Sequence, residues 1–249
     1  EPADHVALPN YPWQRERHWH DVTSESLGLL GRTKVHPLLG YKLAQQELTW
    51  ENQLDVQLVP MLADHVVGDA TVFPGTGYAE LALAAAQQWR SENCVEIADL
   101  EIRSPLVLND DHSKAVRLCI DAGDGSFSIR GREFSSDQAW TVHAVGRLPA
   151  EASSALIGNT WSGVPERQAD FSGDIHLSLT ARAGLAYGTA FQVVSHGWIE
   201  GGTVRAVLRE SGVAQEDSPG YYLHPAVLDC TFQLIIHLLR DELDAHEGV

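Results

Sequence analysis

The sequence predicts an α+β fold built from two similar halves, each an antiparallel sheet wrapped around one buried helix. Three observations carry this. First, Gly77 to Arg90 is rich in Ala and Leu and apolar on most faces, which marks a helix buried on several sides. Second, the segments around it read as strands. Third, the same pattern returns after Pro149 to Glu166, a stretch rich in Ala, Ser, Gly and Pro. A chain of 249 residues is long enough for one large domain or two small fused ones.

Taken in order, residues 1–20 carry two tryptophans, a tyrosine and several prolines with no helical or strand period, so they read as an extended segment wrapped on a neighbouring surface. Asp55 to Pro60 is the first candidate strand, and the helix Gly77 to Arg90 follows a turn-like region. Ile97 to Leu108, Val116 to Ile120, Phe127 to Arg132 and Trp140 to Leu148 are expected as strands, with a hairpin turn at Asp121 to Gly125. In the second half, Ile175 to Thr180 and Gln192 to Glu200 are expected as strands. Gly201-Gly202 turns the chain into a strand from Thr203 to Arg209. Ser211 to Gly220 is a polar loop. Pro225 to Arg240 then has Leu228, Phe232, Ile235, Ile236 and Leu239 at helical spacing. This divides the chain into an incoming linker (1–25), a first half (26–148), a connector (149–166) and a second half (167–249). The second half is expected to lack its closing strands.

Composition limits the partners. With 17 basic and 34 acidic residues the formal net charge is −17, against a nucleic-acid or anionic-membrane partner. The strongly apolar run near Leu81 to Ala86 is far too short to span a bilayer, and the N-terminus has no signal-peptide pattern. Cys94, Cys119 and Cys230 are odd in number and widely spaced, with no CxxC pair. The histidines form no HxxxH or HExxH pair. A disulfide framework and a metal site are therefore not expected, and a reducing cytoplasm is the natural setting.

Three segments carry candidate chemistry. His65 lies just ahead of the first buried helix, whose N-terminal N–H groups suit a developing negative charge. Tyr187-Gly188-Thr189-Ala190-Phe191 is the second. In the third, running from His224 to Gln233, Asp229 falls in the first turn of the second helix, with Gln233 one turn on along the same face. Each has a plain alternative. His65 taken alone can be a structural histidine, Asp229 can complement the helix dipole, Tyr187-Gly188 can be a turn, and Gln233 can be an exposed polar residue.

Together these segments resemble the dehydratase domains of polyketide synthases and of animal fatty acid synthase. That family has an HxxxGxxxxP motif, a YGxxF motif and an HPxxxDxxxQ/H motif in this order. His65 and Pro74 hold the ends of the first. Tyr187, Gly188 and Phe191 fill the second, with Thr189 where proline is usual. His224, Pro225, Asp229 and Gln233 fill the third. His36-Pro37-Leu38-Leu39-Gly40 resembles the family's opening HPLLG, and Tyr11 to Arg15 resembles the end of a linker leaving an acyltransferase domain. One position departs. Asp69 stands where the family has glycine, with Gly68 one position earlier; that carboxylate either raises the pKa of His65 or points to solvent.

The resemblance implies a double hot dog fold and removal of water from a β-hydroxyacyl thioester, giving the α,β-unsaturated thioester. The substrate is implied to ride on the phosphopantetheine of an acyl carrier domain, with no metal and no diffusible cofactor. Neighbouring acyltransferase and ketoreductase domains and a homodimer are implied as partners. His65 is the implied base and Asp229 the implied acid, facing one cavity where the halves meet. Tyr187, Gln233, Gly68, Pro74 and Gly188 form the binding or orienting set. Backbone N–H groups near Gly68 or the first helix are candidates for the thioester oxygen. Two other readings remain: a spacer that has lost elimination, and a double-bond isomerase or oxygen-heterocycle-forming variant.

Overall fold

A computed structural model describes residues 33–44, 46–90, 96–109, 111–151, 163–209 and 220–240. The incoming linker, most of the connector, all of the polar loop before Gly220, and Cys94 lie outside the described residues. The elements in chain order are β1 (Tyr41–Lys42), β2 (Thr49–Leu54), β3 (His65–Val67), β4 (Ala70–Thr71), α1 (Gly75–Arg90), β5 (Ala98–Ile102), β6 (Lys114–Ile120), β7 (Ser126–Glu133) and β8 (Thr141–Arg147). They continue with β9 (Phe171–Ser172), α2 (Gly173–Arg182), β10 (Leu185–Tyr187), β11 (Val194–Glu200), β12 (Thr203–Leu208) and α3 (Pro225–Gln233).

The first half is a six-stranded antiparallel sheet in the order β1-β2-β6-β7-β8-β5. Strand β7 shows the period-2 pattern plainly, with Phe127, Ile129 and Gly131 buried and their neighbours less so. These inward side chains meet Tyr78, Leu81, Ala82, Ala84, Ala85 and Ala86 of α1 in one core that also takes in Trp50, Leu54 and Leu118. The small alanines let the helix lie close to the sheet. The turn at Asp121 to Gly125 forms as expected, with the Asp121 carboxylate accepting from Gly123 N at 2.8 Å.

The opening His36–Gly40 segment is bolted to α1. The His36 ring accepts from the N–H groups of Leu38 and Leu39 through Nδ1 and bonds Glu80 through Nε2 at 2.9 Å. Glu80 is fully buried, and its carboxylate also accepts from the N–H groups of Tyr222 and Leu223, just ahead of α3. A buried carboxylate is tolerated when its oxygens are satisfied in this way.

Four expectations need correction. Asp55 to Pro60 is not a strand: the Asp55 carboxylate accepts from Gln57 N and Leu58 N, closing a turn that leads into a 3-10 helix at Pro60–Asp64. The strand is the preceding Thr49–Leu54. Ile97 to Leu108 is strand only over Ala98–Ile102, since Pro105 offers no N–H for a ladder. Ile175 to Thr180 is helical, within α2. Ser172 caps that helix by accepting from Ile175 N, and His176, Leu179 and Thr180 share its buried face at a spacing of three and four. The Pro225 to Arg240 helix is regular only to Gln233 and tightens to a 3-10 turn over Leu234–His237, where two β-branched residues, Ile235 and Ile236, follow one another.

The second sheet, β12-β11-β9, has three strands among the described residues, half the number in the first. The hairpin at Gly201-Gly202 forms as expected. Phe232 is 57% exposed and Ile235 50%, so the outer face of α3 and the turn after it is uncovered by described residues. A third small sheet, β10-β3-β4, takes strands from both halves. Thr76, at the start of α1, donates to Pro225 O at the start of α3 at 2.9 Å, so the two helix N-termini meet.

Candidate active site

The small antiparallel sheet shared by the two halves sets the site. Strand β10 pairs with β3 so that Tyr187 stands opposite His65. The His65 ring packs against the stacked pair Tyr187 and Phe191, with centroid distances of 5.5 Å and 5.2 Å. Its Nδ1 lies 2.8 Å from Val72 O. A carbonyl can only accept, so Nδ1 carries the proton and the neutral ring presents a bare Nε2. That atom faces Asp229 Oδ1 at 3.9 Å.

Asp229 comes from the other helix, α3, where it is the fifth residue and so lies in the second turn rather than in the first as expected. Its Oδ2 accepts from Gln233 Nε2 at 3.1 Å, one turn along α3. The Tyr187 hydroxyl lies near enough to this carboxyl to influence its ionisation. Burial pushes the Asp229 carboxyl up from the ordinary carboxylate value, while the Gln233 donor, the His65 ring and the Tyr187 hydroxyl pull it down. The same burial, with the Asp229 charge beside it, pushes the Tyr187 hydroxyl up, so it stays a donor. His65 and Asp229 thus lie close without bonding to each other, each held by other groups.

Among the described residues the two side chains line different recesses, not the single cavity expected of them. His65 lines a recess of about 270 Å3 with Phe73, Gly75, Tyr78 and Arg103. Asp229 lines a separate recess of about 300 Å3 with Leu185, Tyr187, Gln233 and Ile236. The two recesses share no lining residue, and the facing His65 and Asp229 atoms are 3.9 Å apart.

Gly68 is not in the site. It sits with φ +60° in the turn between β3 and β4, and its N–H donates to Gly184 O at 2.7 Å, so it is not available to a thioester oxygen. Asp69 beside it is exposed at that turn, pointing to solvent rather than at His65. Pro74 is buried and sets the start of α1; Gly75, next along, lines the His65 recess with the helix N-terminus. Gly188 serves by close approach: a Cβ there would come within 2.2 Å of Asp64 Oδ1. Asp64 accepts from Gly188 N through its carbonyl and from Ala190 N through its carboxylate, fastening the YGxxF segment to the residue before His65. The sequence reading passed over Asp64. An acid immediately before a candidate histidine was the available signal.

Comparison with known proteins now bears on this geometry. The profile described as polyketide synthase dehydratase domain matches residues 36–133, and one described as polyketide synthase dehydratase N-terminal domain matches residues 163–249. The chain belongs to the polyketide synthase dehydratase domains. The dehydratase domain is 31% identical, over 90% of its length, to the spectinabilin polyketide synthase system protein NorA' of Streptomyces orinoci. It is also 31% identical, over 94% of its length, to the mycoketide-CoA synthase of Mycobacterium tuberculosis. It spans 6% of each of those proteins. Among solved structures, the dehydratase domain from the CurK module of curacin polyketide synthase superposes with a TM-score of 0.70 at 25% identity, covering 83% of this chain and 76% of that one. The GphF dehydratase gives 0.70 at 27%, covering 84% and 75%. The double hot dog fold expected from the motifs is therefore the fold of this chain. A further CurK dehydratase structure is described as an inactive mutant with histidine replaced by phenylalanine, and another as one with aspartate replaced by asparagine.

Proposed function

We propose that this dehydratase domain removes water from a β-hydroxyacyl thioester carried on the phosphopantetheine arm of an acyl carrier domain, giving the α,β-unsaturated thioester. The observation that carries this reading is the placement of His65 Nε2, the ring nitrogen turned away from Val72 O, 3.9 Å from a carboxyl oxygen of the buried Asp229, one residue from each half. His65 Nε2 takes the proton from C2, and the C–H electron pair becomes the C2–C3 double bond. The C3–O bond breaks as Asp229 gives its proton to the leaving hydroxyl, which departs as water. Burial favours the protonated carboxyl this step needs. The thioester oxygen gains charge as the C2 proton leaves, and the N-terminus of α1 at Gly75 is aimed at the recess where it would lie. The two recesses flanking the pair become the two arms of one path, parted by the substrate's C2–C3 unit. The apolar one beside Leu185 and Ile236 suits the acyl chain, and the one beside Arg103 suits the pantetheine arm.

The inactive CurK forms, altered at a histidine and at an aspartate, support this pairing by residue type. The reaction uses no diffusible cofactor. It implies the acyl carrier domain of the same synthase as the delivering partner, acyltransferase and ketoreductase domains as neighbours, a homodimeric parent and a cytoplasmic setting. No described helix is long and apolar enough to cross a membrane. The test is to incubate the purified chain with a β-hydroxyacyl pantetheine thioester and identify the product. The enoyl thioester is expected. No product would indicate a spacer, and a shifted alkene or cyclic ether would indicate a different reaction at the same site.

A further inference from the structure

Behind Asp229 lies a line of buried hydrogen bonds that the elimination step does not itself use. Gln233 Nε2 reaches both Asp229 Oδ2 at 3.1 Å and Phe191 O at 3.3 Å. The backbone carbonyl can only accept, which fixes the amide with its nitrogen toward Asp229 and its oxygen away. That oxygen, Oε1, lies 3.1 Å from His176 Nε2 on α2, and His176 Nδ1 lies 3.0 Å from His237 Nε2. The two rings stack at 5.2 Å, and His237 stacks on Phe171 of β9 at 3.8 Å. His176 is 1% exposed and His237 6%.

These contacts admit one consistent assignment for neutral rings. Gln233 Oε1 is an acceptor, so His176 must donate from Nε2. Its Nδ1 is then bare and must accept, so His237 donates from Nε2. Every donor in the line points toward Asp229. Its Oδ2 thereby faces an N–H, which disfavours a proton on that oxygen and leaves the acidic proton to Oδ1, the atom facing His65.

We propose that His176 and His237 are positioning residues for the dehydration: they hold the Gln233 amide in the one orientation that keeps the Asp229 proton on Oδ1. This rests on the dehydratase reading above. Without the pair, the 3.3 Å contact to Phe191 O is the one restraint named here that is left on the amide, and a turn that brings its carbonyl toward Asp229 would draw the proton to Oδ2, away from the substrate. The turned amide also favours the protonated acid, because it accepts from the acid but repels the anion. Burial holds both rings neutral, with His176 lowered and His237 lowered to about 4 by burial, the neighbouring His176 and Arg240. The groups facing Asp229 are His65 from β3, Tyr187 from β10, and Cys230 and Gln233 from α3. Those around the histidine pair are Arg240 and, in the open recess outside His237, Asp170, Asp174 and Arg182.

Two measurements test this. The first is 15N NMR of the histidine rings in the purified chain, which reads the tautomers without any turnover. Both His176 and His237 should be neutral at pH 7 and protonated at Nε2, and an Nδ1-protonated His176 would overturn the proposal even if the chain dehydrates. The second is a pH–rate profile of enoyl thioester formation. His176→Phe should lower kcat about tenfold, a fraction of what a lost acid costs, with KM within about twofold. Its alkaline limb, where Asp229 loses its proton, should move to higher pH. His176→Gln, which can still donate to Gln233, should recover most of the rate and return the limb. A His176→Phe rate loss with an unmoved limb, or no rescue by His176→Gln, would mean a packing role only and sink the proposal. A parent chain that makes no enoyl thioester would instead sink the dehydratase reading, and the NMR result would still decide the orientation of the line.

Discussion

His65 and Asp229 divide the work because their surroundings differ. The Val72 carbonyl fixes the tautomer of His65, and burial with three partners sets the protonation of Asp229. These environments also carry a cost in stability. A carboxyl whose folded-state pKa is raised above the unfolded value of about 3.9 favours the fold at low pH, and that contribution is lost as pH rises through the folded value. At pH 8 the buried carboxylate therefore weighs against the fold. Asp229→Asn removes the charge and keeps the shape, so it should unfold in urea at or above the parent midpoint at pH 8, with the gap narrowing toward pH 4. A variant clearly less stable than the parent at pH 8 would count against a strained, buried acid. At this scale the sequence was most legible where several residue types recur at fixed spacing, as at Asp229 and Gln233. Single residues were read less well. Gly68 fell to a turn, His176 and His237 gave no pattern because their roles arise from contacts across 57 or more residues, and Asp64 offered only its place before His65, its partner Ala190 lying 126 residues away.

Elements were legible where one periodicity dominated. Helix α1 and strands β6 to β8 fall where the pattern places them. The run Ile175-His176-Leu177-Ser178-Leu179-Thr180 alternates apolar and polar residues like a strand, yet a serine cap and a buried face at helical spacing make it part of α2. A short run satisfies both periods, and tertiary packing decides between them. The 3-10 turn Thr189–Phe191 depends on a different device, the close approach of Gly188 to Asp64. Gly188→Ala must displace the Asp64 carboxylate that caps this turn. It should cost about 1–3 kcal/mol of stability, the usual range for forcing an atom into a packed site, and lower dehydration as well, because His65 follows Asp64 directly. Urea unfolding together with the rate checks this, and an alanine variant within about 0.5 kcal/mol of the parent, the range of neutral surface changes, would contradict it.

The whole molecule places its site where neither half suffices. Strand β3 and helix α1 bring His65 and the Gly75 N-terminus, while β10 and α3 bring Tyr187, Asp229 and Gln233. The Thr76–Pro225 bond and the Glu80 carboxylate fasten the two helix starts together. The repeated strand–helix order was visible in sequence, and so was the smaller second sheet. The pairing of β3 with β10 was not, since it joins three residues to three others more than a hundred positions away with no local signal. Nor was the placement of His65 and Asp229 in different recesses. The central claim is that one residue from each half supplies the base and the acid of a single elimination. The most direct measurement is the rate of enoyl thioester formation from a β-hydroxyacyl thioester by the parent chain, His65→Ala and Asp229→Asn. Each variant should lose on the order of a hundredfold or more, as loss of a positioned acid or base does, while still binding the thioester. If either variant dehydrates at close to the parent rate, the assignment of that residue is wrong.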